Sequence, residues 1–145
     1  MRHRAYELMR RYPDLCLNGY LVGRYSVKNT DKQLKSPYLD EGIRLICEFI
    51  GYLGMKGSLT KNPTNRHGSS YYWKHVVERY STLEGERHHI PNGLFIAVLR
   101  DLGLPEEQIF NSPNAKVPLG GRCRQSNSTA DEGIPHPCVR SPYIG

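Results

Sequence analysis

The chain has 145 residues, a formal net charge of +6, a hydrophobic fraction of 38% and a mean hydropathy of −0.59. That length suits one domain with a core able to stand without staples, and no apolar run approaches the ~20 residues of a helical membrane span. The charge is lopsided, because residues 1–68 hold 12 Lys/Arg against 6 Asp/Glu while residues 69–145 hold 8 of each.

In chain order, Ala5, Leu8, Met9 and Tyr12 fall on one helical stripe, with Arg4, Arg10 and Arg11 off it and Pro13 as the stop. Tyr12-Pro13-Asp14 stands where a signal peptide would carry its apolar stretch, so a cytoplasmic location is expected. Over Leu17 to Val27, Asn18-Gly19 is a hairpin signal and Tyr20, Val22, Tyr25 and Val27 suit strands, but strict alternation is missing. A short hairpin and an extended packing segment both fit. Asn29 to Ser36 reads as a polar loop.

Ser36-Pro37 caps and opens the strongest helix, with Asp40 and Glu41 in its first turn and Gly54 at its end. Ile43, Ile46, Cys47, Ile50 and Leu53 form one face, and Leu45, Phe49 and Tyr52 make most of the rest apolar. The helix is therefore expected at the centre of the core. Met55 to Gly68 follows as a basic loop with Lys56, Lys61, Arg66 and His67 and no acid. Ser69-Ser70 starts a helix with Trp73, Val76, Val77 and Tyr80 on its stripe. Pro91-Asn92-Gly93 opens another, with Phe95, Val98, Leu99 and Leu102, closed by Gly103 and Pro105. Pro105-Glu106-Glu107 is expected to begin one more helical turn that returns Ile109 and Phe110 to the core.

From Asn111 onward, five of the ten prolines, Gly120-Gly121 and a polar run at 125–129 read as an extended tail. The expected fold is therefore mainly α: a small basic helical domain over 1–110, a short β-hairpin near its N-terminus, and a Pro/Gly/Ser-rich tail over 111–145.

Cys16, Cys47, Cys123 and Cys138 form no CxxC pair, and Cys47 reads as a buried thiol within the apolar helix. Cys123, His136 and Cys138 match no zinc spacing, and a disulfide would need an oxidising compartment, so neither a metal nor another cofactor is expected.

The sharpest site candidate is Arg66-His67-Gly68-Ser69-Ser70. A helix N-terminus offers free N–H groups and partial positive charge, Gly68 would let a ligand approach, and Arg66 and Lys74 would add charge from the surface. Capping alone also accounts for the serines, and the spacing of a P-loop is absent. Tyr71, Tyr72 and Trp73 invite a stacking role, but Trp73 belongs to the core stripe, leaving Tyr71 as the partner contact. The candidate binding residues are thus Lys61, Arg66, His67, Ser69, Ser70, Tyr71 and Lys74, with Arg4, Arg10 and Arg11.

His67, His75, His88 and His89 are the ready source of catalysis, yet no carboxylate pair, HExxH or nucleophile elbow accompanies them. A helix–turn–helix reader is rejected, because the connection from Ser81 to Pro91 is far longer than that motif's turn of about three or four residues.

Ser69-Ser70-Tyr71, Lys74-His75, Glu78, then Pro91-Asn92-Gly93, Phe95-Ile96-Ala97 and Leu102-Gly103 resemble a module in small uncharacterised proteins of bacteriophages and bacterial mobile elements. The resemblance implies a mobile-element origin and a bacterial host cytoplasm, with no activity attached. The expected function is a non-enzymatic, phage-type protein that contacts nucleic acid or a host ribonucleoprotein complex through its basic first half, without a membrane partner. The alternative is a protein-interaction inhibitor of a host defence system, similar to anti-CRISPR proteins. A small His-dependent enzyme ranks third.

Overall fold

The computed structural model describes residues 4–23 and 27–120. Among the described residues five α-helices carry the fold: α1 (Arg4–Arg11), α2 (Asp31–Leu34), α3 (Pro37–Met55), α4 (Ser70–Ser81) and α5 (Asn92–Asp101). Five short strands complete it: β1 (Leu15–Cys16), β2 (Gly19–Tyr20), β3 (Leu59–Thr64), β4 (Glu107–Gln108) and β5 (Ala115–Leu119). The chain is mainly α with two small antiparallel sheets, β1-β2 and β3-β5-β4.

The local start signals hold. Ser36 caps α3 with Pro37 in the first turn, Ser69 caps α4, and Pro91 precedes α5. Ile43, Ile46, Ile50, Trp73, Val76, Phe95, Val98 and Leu99 share one core. That core is centred on α5 more than on α3. Every residue from Asn92 to Leu99 is buried, and α5 packs against α1, α3, α4 and the β1-β2 hairpin. The α3 helix keeps a solvent stripe, on which Arg44 pairs with Glu41, Glu48 and Glu84.

Several expectations are corrected. The polar loop before α3 contains α2, nucleated by a capping box in which Thr30 accepts from the Gln33 amide and the Gln33 side chain accepts from Thr30 N–H. The hairpin lies earlier than Leu17 to Val27, pairing Leu15 with Tyr20 and Cys16 with Gly19; Val27 is 74% exposed, and Tyr25 lies outside the described residues. Within the basic loop, β3 pairs with β5 through Leu59–Leu119 and Thr64–Val117. The turn of helix expected at Pro105 is instead β4, and Phe110 stands 88% exposed rather than in the core.

The largest correction concerns the tail. Its first part supplies β5, the central strand of the three-stranded sheet, with Ala115, Val117 and Leu119 all at 0% exposure. The folded unit thus extends past residue 110, and 121–145 lie outside the described residues. Cys16 and Cys47 are free thiols, and burial pushes the half-buried Cys47 thiol up. Cys123, His136 and Cys138 lie outside the described residues.

Candidate functional site

The basic residues singled out in the sequence separate into two groups. Arg4, Arg10 and Arg11 lie on α1, which packs on α2, α3 and α5, whereas Lys61 and Arg66 lie on β3 and the turn after it, beside β5. Arg11 is committed to Asp101. Arg10 donates to the Tyr6 hydroxyl at 2.6 Å, and its guanidinium sits 5.2 Å from the Tyr6 ring centre. Lys35 Nζ reaches the same ring at 4.6 Å, so α1 and α2 present their cations together. Arg10 and Lys28 also line a cleft of about 270 Å³ with Asn29 and Asp31.

The α4 start is mostly structural. Ser69 Oγ accepts from the Tyr71 amide at 3.2 Å. Ser70 is wholly buried, and its Oγ accepts the Ala115 amide at 2.9 Å, tying α4 to β5. Gly68 has φ +117°, and a Cβ there would strike the Tyr72 ring. His67 lies against Gly120, and Arg66 is exposed. Lys74 is not a surface cation: it is 5% exposed, with Nζ 3.2 Å from Glu78. Tyr71 is 51% exposed, with its ring beside His75 and Lys74.

Glu78 organises the densest polar cluster, one that sequence reading left out of the candidate site. Its carboxylate is 3% exposed. Oε1 accepts from Arg87 Nη2 at 2.9 Å and from His75 Nδ1 at 3.0 Å. Oε2 accepts from the Ile90 amide at 2.8 Å and from Lys74, and lies 3.1 Å from His89 Nδ1. Burial pushes the carboxyl up, but the Ile90 amide, Arg87, His75 and the Lys74 charge outweigh it and hold the group down at about 2. Because the ionised carboxylate only accepts, His75 Nδ1 carries the proton, leaving Nε2 as the ring's other working nitrogen.

Tyr38 fixes the loop that delivers these groups. Its hydroxyl accepts the His89 amide at 2.7 Å, and its carbonyl accepts from His88 Nε2 at 2.8 Å. The His88 ring stacks on the Tyr38 ring at 3.8 Å. His88 is thus a packing residue, while His75, Arg87 and His89 keep 39%, 51% and 66% of their side chains exposed. Sequence spacing could have found half of this cluster, since Lys74 and His75 precede Glu78 by four and three positions on one helix face.

No protein-family model, curated protein or solved structure matches the chain. Among the described residues, no helix is long and apolar enough to cross a membrane. Chemically, the Glu78 cluster combines a fixed anion, an oriented imidazole at His75, a second imidazole at ion-pair distance and a half-exposed guanidinium, and the α1–α2 and β3 surfaces supply cations with no carboxylate partner among the described residues.

Proposed function

We propose that the protein is a phage-type binding protein that contacts nucleic acid, free or within a host ribonucleoprotein, through the cations of its first half, in the cytoplasm of a bacterial host. One observation carries this reading. Arg11, Arg44, Lys74, Arg87 and Arg100 are committed to Asp14, Glu41, Glu48, Glu78, Glu84, Asp101 and Glu106. Among the described residues none pairs with Arg10, Lys28, Lys32, Lys35, Lys56, Lys61 or Arg66. Unpaired surface cations on two faces attract a polyanion and release its counterions on contact.

The test is a binding titration on single- and double-stranded oligonucleotides at several salt concentrations. K32E/K35E and K61E/R66E should each weaken binding, with folding stability nearly unchanged because these positions are exposed. Each lost phosphate contact should flatten the slope of log affinity against log salt by about 0.7 to 0.9. Unchanged affinity and slope in both variants would remove the reading. Phe110, 88% exposed at the turn before β5, favours a second reading as a protein-interaction inhibitor, because an isolated aromatic is a typical interface anchor. In that case F110A would weaken partner capture in a manner indifferent to salt.

A further inference from the structure

We infer that His75 and His89 form a general acid–base pair that cleaves RNA by transfer of the phosphodiester to the neighbouring 2′-hydroxyl, an activity beyond simple binding. The geometry that supports it is the sharing of one buried carboxylate by two exposed imidazoles. Each ring turns Nδ1 toward a different oxygen of Glu78, at 3.0 and 3.1 Å. Among the described residues neither Nε2 has a hydrogen-bond partner, and both rings are substantially exposed. The hydrogen bond from Nδ1 to the carboxylate fixes the His75 ring's tautomer and aim for work at Nε2, while the His89 ring stands at ion-pair distance from the other oxygen.

A purely structural role accounts for Glu78, which secures Ile90 and the buried Lys74. It does not account for two imidazoles on the solvent side of a carboxylate that already has Arg87, Lys74 and a backbone amide. Among the described residues no group of three His, Cys, Asp or Glu side chains is arranged to hold a metal ion, and both Nδ1 atoms face Glu78 itself, so the pair is better suited to moving protons.

The substrate class follows from what the pair lacks. Among the described residues no activated side-chain nucleophile accompanies it, so the attacking group comes from water or from the substrate, and the 2′-hydroxyl of a ribonucleotide is the one already held beside its own phosphorus. In the step, one neutral Nε2 takes the 2′-OH proton while O2′ bonds to phosphorus. The P–O5′ bond breaks, and the other, protonated Nε2 gives its proton to the departing 5′ oxygen. The products are a 2′,3′-cyclic phosphate and a 5′-hydroxyl, with no net gain or loss of protons or electrons. Arg87 is half-exposed beside the pair and is placed to offset charge on the phosphoryl oxygens. Tyr71, 51% exposed and with its ring centre 4.6 Å from that of His75, offers an aromatic surface for a flanking base.

The experiment uses the full chain in EDTA with a ribose dinucleoside monophosphate, its 2′-deoxy counterpart and a fluorescent single-stranded RNA. The dinucleotide is too short to depend on the distant cationic faces, so cleavage and binding are read separately. Cleavage of the ribose compound to cyclic phosphate is expected, with the deoxy compound intact. H75Q and H89Q should each lower the rate by about 100-fold or more, with melting monitored in both; H89Q, on the more exposed ring, guards against loss of fold. An intact ribose dinucleotide, cleavage surviving both variants, or activity present only when EDTA is omitted would each overturn the inference. RNA that binds without being cut removes this inference alone. A dinucleotide that is cut by a chain with no affinity for long RNA removes the binding reading alone.

Discussion

Replacing Glu78 by glutamine should lower the unfolding free energy at pH 7 by about 3 to 5 kcal/mol, the usual cost of breaking a buried pair and leaving its partner uncompensated. Lys74 is that partner, at 5% exposure, and the amide would also weaken the bonds to Ile90, Arg87 and His75. The ionic part has its own signature. The folded carboxyl lies at about 2 against 4.5 for the ordinary group, which corresponds to about 3 kcal/mol. Since the folded value is the lower one, this stability is complete above pH 4.5 and is lost as the pH falls toward 2. The difference between wild type and E78Q, measured by urea unfolding, should therefore be large at pH 7 and shrink steadily between pH 4.5 and pH 2. A difference that stays constant over that range would assign the cost of E78Q to shape and remove the electrostatic account.

What was legible in the sequence was local. Ser36-Pro37, Ser69 and Pro91 mark helix starts through groups within one turn of each other, so α3, α4 and α5 could be read from neighbours alone. The sheet could not. Its strands β3 and β5 are distant in sequence and short, and β3 includes Lys61, Asn62 and Pro63, so neither alternation nor composition announces it. Proline and glycine around β5 suggested a solvated tail, whereas pairing on both edges and packing on α4 bury it. The Glu78 cluster divides the same way. Lys74 and His75 come from helix periodicity, but Arg87 and His89 arrive only because Tyr38 and the Ile90 amide set the path of the loop. Lys74 itself illustrates the limit: a lysine one turn into a polar-looking helix reads as surface until its partner is seen to be buried.

The second large effect concerns Gly93, where an alanine substitution should act in the opposite direction to the same change at Gly51 in α3. At Gly51, on the exposed side of α3, an added methyl would meet nothing, so G51A should stabilise by up to about 1 kcal/mol through helix propensity. Gly93, in the first turn of α5, should gain the same benefit and lose far more. A Cβ there would run into the Cys16 carbonyl, at the point where the Gly93 amide donates to Leu17 O at 2.9 Å. The obstruction is backbone, so no rotamer change relieves it. The hairpin cannot easily withdraw, because Asn92 Nδ2 donates to Asn18 O at 3.0 Å and to Asn114 Oδ1 at 3.0 Å, while the Tyr20 amide is held by Pro113 O at 2.9 Å. Overpacking of this kind costs about 3 kcal/mol, enough to exceed the propensity gain. Thermal melting of G51A and G93A beside the parent should place the first above it and the second well below. A G93A protein that melts at or above the parent would mean that the hairpin does not rest on α5, and Asn92-Gly93 would then need an explanation other than this close approach of two backbones.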